Sequence, residues 1–160
     1  MNELANPLEL CGFEFIEFVA KDKELDEIFQ TIGFSKVAKH KSKNVYLWRQ
    51  GNINIILNYQ PESAAAYFFK EHGPSACAMG FRTKDAAKAF NKAIELGAEP
   101  IYSKIGPMEL NIPAIKGIGG SPIYLVDRDI YQSDFIFFDD VASHPVGTGL
   151  KEIDHLTHNV

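Results

Sequence analysis

Residues 106–128 read GPMELNIPAIKGIGGSPIYLVDR, and their order of Pro, Gly and apolar residues predicts a β-hairpin. Residues 114–118 and 121–126 are two short runs of strand-forming side chains. Gly117, Gly119 and Gly120 separate the two runs, and glycine accepts the positive φ angles that a tight connection needs. We expect this hairpin to close one end of a sheet.

The first third of the chain predicts a unit of one strand, one helix and three more strands. Residues 12–19, GFEFIEFV, alternate large apolar side chains with Glu, which is typical of a strand with one buried face. Asp22 is then placed as the N-cap of an amphipathic helix that ends at Gly33. Three further strand-like runs follow, at residues 34–38, 44–49 and 53–59.

A second unit with the same order follows a connecting helix at residues 63–71, for which Ser63 is the predicted N-cap. Residues 76–82 predict a strand, and residues 85–96 predict a helix that ends at Gly97. The hairpin described above completes this unit.

The two units can be overlaid as an internal repeat. Residues 18–22, FVAKD, align with residues 81–85, FRTKD, and residues 52–58 align with residues 121–127. We therefore predict an α+β fold of two βαβββ modules, at about residues 11–60 and 75–138. They form a curved mixed sheet with helices outside and a concave cradle inside that is a plausible ligand site. Residues 134–139 add a possible edge strand, and residues 143–149 have the composition of a linker.

Composition narrows the classes of function. The formal net charge of −5, without a cluster of Lys and Arg, argues against nucleic acid and anionic membranes as partners. No apolar run has the length of a membrane span, and the N-terminus lacks the features of a signal peptide. We expect a cytoplasmic protein in which Cys11 and Cys77 are reduced and partly buried thiols.

Five motifs in order resemble bacterial 4-hydroxyphenylpyruvate dioxygenases, a family of the vicinal oxygen chelate superfamily with the glyoxalase/dioxygenase-like fold. The motifs are GFEFIEF at residues 12–18, WRQG at 48–51, EHGPSAC at 71–77, GPMELNIPAIKGIGG at 106–120 and IDHLTHNV at 153–160. The resemblance runs from end to end of this chain but covers only the N-terminal half of the family. It implies an N-terminal domain at residues 1–140, a linker at 141–152 and the truncated start of a catalytic domain at 153–160.

The resemblance also implies a reaction for the complete protein. In that family the C-terminal half holds Fe(II) through two His and one Glu, and converts 4-hydroxyphenylpyruvate and O2 to homogentisate and CO2 in tyrosine breakdown. It implies that this chain is structural, binds no iron and is inactive alone, and that the complete protein forms homo-oligomers. No catalytic or cofactor-binding residue is assigned to this chain beyond one metal ligand.

That ligand is His155, the His of the IDH motif. The predicted strand beginning at Ile153 would turn His158 to its opposite face, because strand side chains alternate. Overlaying the motifs places Glu14 at the position of His155, without a second carboxylate or imidazole to complete a metal site. The other corresponding positions hold Cys77 or Ala78 in the second unit and Leu125 or Val126 in the hairpin.

We therefore predict that the cradle of this chain is free of metal. Glu14 and Glu17 are expected to meet solvent or a basic partner, because glutamates are rarely buried unpaired. The remaining histidines at positions 40, 72 and 144 are expected to be solvated.

Other function classes stay open at this point. One is a stand-alone vicinal oxygen chelate module that binds a small ligand without chemistry, and another is a relative of 4-hydroxymandelate synthase. A glyoxalase- or extradiol-like metalloenzyme completed by dimerisation is a weaker alternative, because a closed dimer would repeat the apolar positions Ala78 and Val126.

Overall fold

The computed structural model describes residues 5–102 and 110–158, and these form a mixed sheet of nine strands with four α-helices outside it. The N-terminal part of the 106–128 stretch lies outside the described residues. The strands are β1 (Leu10–Val19), β2 (Ser35–His40), β3 (Val45–Gln50), β4 (Ile53–Asn58), β5 (Ser75–Thr83), β6 (Pro100–Ile101), β7 (Ala114–Lys116), β8 (Pro122–Val126) and β9 (Phe135–Phe137). The helices are α1 (Glu24–Thr31), α2 (Ala64–His72), α3 (Ala86–Glu95) and α4 (Tyr131–Asp134).

The strand order confirms two βαβββ modules lying side by side. Across the sheet the order is β6, β7, β8, β5, β1, β4, β3, β2, β9. In the first module β1 pairs in parallel with β4, and in the second β5 pairs in parallel with β8. The antiparallel pair of β1 and β5 joins the modules at the centre of the sheet. The predicted edge strand is also confirmed, since β9 pairs with β2.

The predicted hairpin forms between β7 and β8, which pair in antiparallel register. A short 3-10 turn at Ile118–Gly120 connects them. Gly119 and Gly120 have φ angles of +66° and +81°, so the positive φ expected from the sequence is present at these two positions.

The predicted overlay of the repeats is displaced by one residue in the last strands. Ile55 lies opposite Ile16, whereas Ile123 lies opposite the equivalent Met79. The sequence overlay had instead matched Ile55 with Tyr124. The predicted and the observed alignments both match apolar residues with apolar residues. Only the pairing of each last strand with its neighbour distinguishes the two alignments. The correction matters because a shift of one residue moves a side chain to the other face of a sheet.

One of the predicted helix starts is wrong. Helix α1 begins at Glu24 with Lys23 as its N-cap residue, and Lys23 makes no capping hydrogen bond through its side chain. Asp22 lies one residue too early to be the cap, although its Oδ1 still accepts a hydrogen bond of 3.2 Å from the Glu24 N–H. The predicted cap Ser63 is confirmed, because it accepts a hydrogen bond from the first turn of α2. Asp85, at which the next helix was predicted to begin, is the N-cap residue of α3 and accepts from its first turn.

Two apolar layers cover the faces of the first module. Leu47 and Trp48 are adjacent on β3, are both fully buried, and therefore point to opposite faces. Trp48 packs with Phe29 of α1 on the outer face, and Leu47 packs with Ile56 on the inner face. Among the described residues, the helices are too short or too polar to cross a membrane.

Candidate functional site

The inner face of the sheet borders a cavity of about 700 Å³, at the position expected for the concave cradle. Its wall is largely apolar and aromatic, with one carboxyl group and one amide on neighbouring central strands. The apolar lining includes Phe15, Val45, Ile56, Tyr124, Ile130 and Phe135. The carboxyl and the amide belong to Glu17 of β1 and Asn58 of β4.

Glu17 is held against the cavity wall by Asn58. The Asn58 Nδ2 donates a hydrogen bond of 2.7 Å to Glu17 Oε1, while Asn58 Oδ1 accepts from the Gln60 N–H at 2.8 Å. Burial raises the pKa of Glu17, and the Asn58 hydrogen bond and the charge of Lys43 oppose that rise. Glu17 is partly buried and the charge of Lys43 acts on it, in keeping with the expectation of solvent or a basic partner, although β1 turns the side chain toward the cavity.

The neighbouring thiol of Cys77 is also buried. Its Sγ donates to the Glu17 carbonyl oxygen at 3.5 Å, and burial raises the pKa of Cys77 far above its ordinary value. Burial therefore favours the protonated thiol. Cys11 is exposed rather than partly buried, and both cysteines are free.

The pKa of Glu17 predicts a pH-dependent effect of the substitution Glu17→Gln. The folded protein keeps the Glu17 proton to a higher pH than the unfolded chain, for which the ordinary pKa is 4.5. The associated stability is present below that pKa and is lost as the pH rises through the folded-state pKa. Glutamine is neutral throughout and can still accept from Asn58. We therefore expect Glu17→Gln to become more stable relative to the wild type as the pH rises from about 4 to 7. The difference in the free energy of unfolding should grow by about 1.4 kcal/mol for each unit by which the folded-state pKa of Glu17 exceeds its unfolded value.

Urea unfolding at a series of pH values measures this difference. Glu71→Gln is the matched control, because Glu71 is exposed near the end of α2. The prediction is contradicted if the wild-type and Glu17→Gln curves stay parallel across the pH range.

Glu14 lies at the other end of the same face and has the basic partner expected from the sequence. Arg82 Nε is 3.2 Å from Glu14 Oε2, and Asn54 Nδ2 is 3.3 Å from Glu14 Oε1. Burial raises the pKa of Glu14, whereas the Tyr131 hydroxyl and the positive charges of Arg82 and Arg49 oppose the rise. Glu14 is thus part of a structural ion-pair cluster.

The described residues do not fit an iron site. Within residues 5–102 and 110–158, no three His, Cys, Asp or Glu side chains lie close enough together to hold a metal ion. Iron in an oxygenase site of this ligand class needs two imidazoles and a carboxylate on one face. These residues therefore support no metal-dependent step. That the cradle is free of metal remains a prediction, which a titration with metal ions would test.

His155, the predicted iron ligand, lies on the surface. Its side chain is 71% exposed, and its Nδ1 is 2.5 Å from Asp154 Oδ2. Residues 149–158 belong to neither helix nor strand, so the predicted strand from Ile153 is not formed among the described residues. A strand needs a neighbour that accepts and donates backbone hydrogen bonds, and within residues 5–102 and 110–158 no strand of the sheet pairs with this segment. Ile153 instead packs on the outer apolar layer beside Phe29 and Trp48.

The predicted linker is partly fixed to the first module. We call residues 143–150 the tail segment. The side chain of Gln50 is fully buried beneath it, and its Nε2 donates to the Ile32 carbonyl oxygen at 3.0 Å. Its Oε1 accepts from the Leu150 N–H at 3.0 Å, and it lies 3.1 Å from the Thr148 hydroxyl, whose single proton is shared with the Ile32 carbonyl oxygen at 2.9 Å. Gln50 thus ties the end of α1 to the tail segment.

Two neighbours of Gln50 hold the start of the tail segment. Arg49 Nη1 donates to the Ser143 carbonyl oxygen at 3.2 Å, and the Gly51 N–H donates to the Pro145 carbonyl oxygen at 2.6 Å. The Arg49 guanidinium also lies 4.7 Å from the centre of the Tyr131 ring. Sequence reasoning missed this role, and the only signal was a polar pair, Arg49 and Gln50, at the end of an apolar strand.

The remaining histidines differ in their surroundings. His40 is half-buried, its ring packs 5.3 Å from that of Phe135, and its Nδ1 accepts from the Ser42 N–H, so it is only partly solvated. His72 is exposed, as expected. His144 is exposed, but its Nδ1 lies 3.1 Å from the Gly51 carbonyl oxygen.

Two βαβββ modules joined through their first strands around an inner cavity define a glyoxalase/dioxygenase-like protein of the vicinal oxygen chelate class. A comparison with models of known protein families identifies the family. Residues 4–141 match the model described as "Hydroxyphenylpyruvate dioxygenase, HPPD, N-terminal", and the chain belongs to this family. The family resemblance inferred from the five motifs is thereby confirmed.

Known relatives show how much of a longer protein the match covers. The chain is 59% identical over 161 residues to 4-hydroxyphenylpyruvate dioxygenase of Pseudomonas sp. (strain P.J. 874), covering 97% of this chain and 45% of that protein. It is 51% identical over 170 residues to hemolysin VllY of Vibrio vulnificus (strain CMCP6), covering 100% of this chain and 48% of that protein. The chain thus spans about half the length of the curated relatives it matches.

A solved structure supports the same assignment. The chain superposes with a TM-score of 0.80 and 37% identity on a protein titled "xylose isomerase-like TIM barrel/4-hydroxyphenylpyruvate dioxygenase fusion protein". The match covers 94% of this chain and 25% of that one. The likeness therefore extends over nearly the whole of this chain but only one part of the fusion.

Proposed function

We propose that this chain is the N-terminal domain of an Fe(II)-dependent 4-hydroxyphenylpyruvate dioxygenase, in which it serves as a scaffold. The complete protein would convert 4-hydroxyphenylpyruvate and O2 to homogentisate and CO2. The observation that carries the proposal is the family match over residues 4–141, combined with relatives of which this chain covers 45%. A cytoplasmic location and a homo-oligomeric assembly belong to the same proposal.

The proposal assigns one iron ligand to this chain, His155. Its imidazole is 71% exposed beside the Asp154 carboxylate, so it is accessible to a metal. Bound Fe(II) with two imidazoles and one carboxylate would keep open positions for a 2-oxoacid and O2. The other ligands would come from sequence outside this chain, and this chain alone would be inactive.

Oxygen uptake tests the proposal. The complete native reading frame and this chain are assayed in parallel with Fe(II), ascorbate and 4-hydroxyphenylpyruvate, and the products are identified. We expect O2 consumption and homogentisate from the complete protein only. Formation of 4-hydroxymandelate would indicate the related synthase activity, and turnover by this chain alone would refute its role as an inactive scaffold.

The cavity favours a second candidate function, the binding of a small ligand without chemistry. Its volume of about 700 Å³ lies within the usual range for ligand pockets, and its mainly apolar wall carries a few polar groups. This candidate would replace the first if the complete protein consumed no oxygen and this chain bound a small aromatic ligand. Isothermal titration with 4-hydroxyphenylpyruvate and with 4-methylphenol would measure such binding.

A further inference from the structure

The Glu17 carboxyl group faces the cavity with room for a further hydrogen-bond donor. A carboxylate has about four acceptor positions, and the hydrogen bond from Asn58 occupies one of its oxygens, Oε1. The charge of Lys43 also acts on Glu17, yet burial outweighs both effects and raises the pKa of the carboxyl. A buried carboxylate is stabilised as an ion by donors and positive charge close to it. A ligand that brought both to Glu17 would therefore be favoured.

Charged side chains give the cavity wall an excess of carboxyl groups. Glu17, Glu62 and Asp134 line the cavity, and Lys43 is the one lysine or arginine among the described residues that does so. His40 also lines it, and an imidazole carries positive charge only when it is protonated. At neutral pH this balance attracts a cation, whereas a carboxylate ligand would meet like charges.

The wall beside Glu17 offers an apolar seat for the body of such a ligand. Phe15 precedes Glu17 by two positions on β1, so both side chains lie on the same face of the strand. Ile56 lies opposite Glu17 on β4. The ring of Tyr124 lies 5.8 Å from that of Phe15, measured between ring centres. These three apolar side chains border the cavity, so polar and apolar parts of its wall adjoin.

The cavity opens to solvent at the start of α2. Pro61, Glu62 and Ala64 border the cavity there, and all three residues are exposed. The carboxylate of Glu62 thus belongs to the entrance, where it would raise the local concentration of cations.

We propose that the cavity binds a small primary amine, whose ammonium group donates to Glu17 and whose apolar body packs on the aromatic and aliphatic wall beside it. This inference deepens the second candidate function and rests on it, but it does not depend on dioxygenase activity. The proposed ligand is opposite in charge to the 2-oxoacid of the first candidate. A hydrogen bond between an ammonium and a carboxylate is roughly twice as strong as one between neutral groups.

Titration calorimetry at pH 7 with three matched probes tests the proposal. 2-Phenylethylamine, 2-phenylethanol and 3-phenylpropionate share one apolar body and carry an ammonium, a hydroxyl and a carboxylate. We expect the amine to bind this chain at least about tenfold more tightly than the alcohol, and the carboxylate to bind more weakly than both. The complete native reading frame should show the same preference for the amine over the alcohol.

The substitution Glu17→Gln separates the ammonium contact from the apolar seat. It should weaken binding of the amine at least about tenfold and that of the alcohol by less than about threefold, because glutamine keeps an acceptor oxygen but loses the charge. Glu71→Gln is the matched control, since Glu71 is exposed on α2 and does not line the cavity. It should bind both probes as the wild type does, and circular dichroism checks the fold of both variants.

Methyl NMR of isoleucine-labelled protein locates the bound probe. The Ile56 methyl resonance should shift on addition of the amine, because Ile56 borders the cavity. Ile136, which is 59% exposed on the edge strand β9, should keep its resonance position.

Three outcomes would overturn the proposal. The first is an amine that fails to bind or that binds no more tightly than the alcohol or the carboxylate. The second is an equal effect of Glu17→Gln and Glu71→Gln on the amine, and the third is binding without a shift at Ile56. Tight binding of the alcohol alone would keep the cavity as a ligand site and refute the amine. Oxygen uptake by the complete protein reports dioxygenase activity separately.

Discussion

Replacing His155 by alanine in the complete protein is expected to lower the turnover of 4-hydroxyphenylpyruvate by at least about 100-fold, because the substitution would remove one of the three proposed iron ligands. The side chain is 71% exposed in this chain and contacts Asp154, so its loss should cost the fold little. The expected effect is therefore on iron content and turnover, with the fold retained. Oxygen uptake and iron analysis of the purified protein measure both.

His158→Ala is the matched control for this prediction. It removes the other histidine of the same motif, which the resemblance does not assign to iron, and should keep turnover within about threefold of the wild type. If His158→Ala abolished turnover while His155→Ala did not, the assignment of His155 would be wrong. If both variants lost the fold, circular dichroism would reveal it before the assay.

Gly147→Ala is expected to release the tail segment from the first module. Gly147 has a φ of +62°, and a Cβ there would overlap the Gln50 side chain and lie 2.5 Å from the Gly33 carbonyl oxygen. The backbone conformation alone costs about 1 kcal/mol for alanine, and displacing Gln50 leaves buried polar groups unpaired at about 1–3 kcal/mol each. We expect a total destabilisation of about 3 kcal/mol of the docked tail.

Hydrogen exchange measures this release at two amides. The Gly51 N–H bonds to Pro145 and the Leu150 N–H bonds to Gln50, so both should exchange about 100-fold faster in Gly147→Ala. Gly149→Ala is the control, because Gly149 also has a positive φ, +96°, but no atom within 4 Å of its added Cβ. Similar exchange in the two variants would show that packing on Gln50 does not hold the tail segment.

Local rules allowed much of the fold to be predicted from the sequence. Ser63 and Asp85 cap helices because their side chains accept hydrogen bonds from the next turn, which depends only on neighbouring residues. Strand β6 was missed because it has two residues, one of them Pro100, and forms only through pairing with β7. The displaced overlay of the repeats has the same origin, since register depends on the partner strand.

The site was less predictable than the fold. The family motifs predicted His155, but no local pattern showed that Glu17 faces a cavity or that Gln50 is buried under the tail segment. Both facts depend on contacts between residues far apart in the chain, Glu17 with Asn58 and Gln50 with Leu150. Sequence periodicity gives the face of a strand but not what will cover it.

Titration with Fe(II) tests the central claim that this chain is a scaffold whose iron site needs the rest of the protein. This chain and the complete native reading frame are loaded anaerobically with Fe(II), passed through a desalting column and analysed for bound metal. We predict about one retained iron per complete chain and none above background for this chain, because a single accessible imidazole cannot hold the ion firmly. Stoichiometric iron retained by this chain alone would contradict the account.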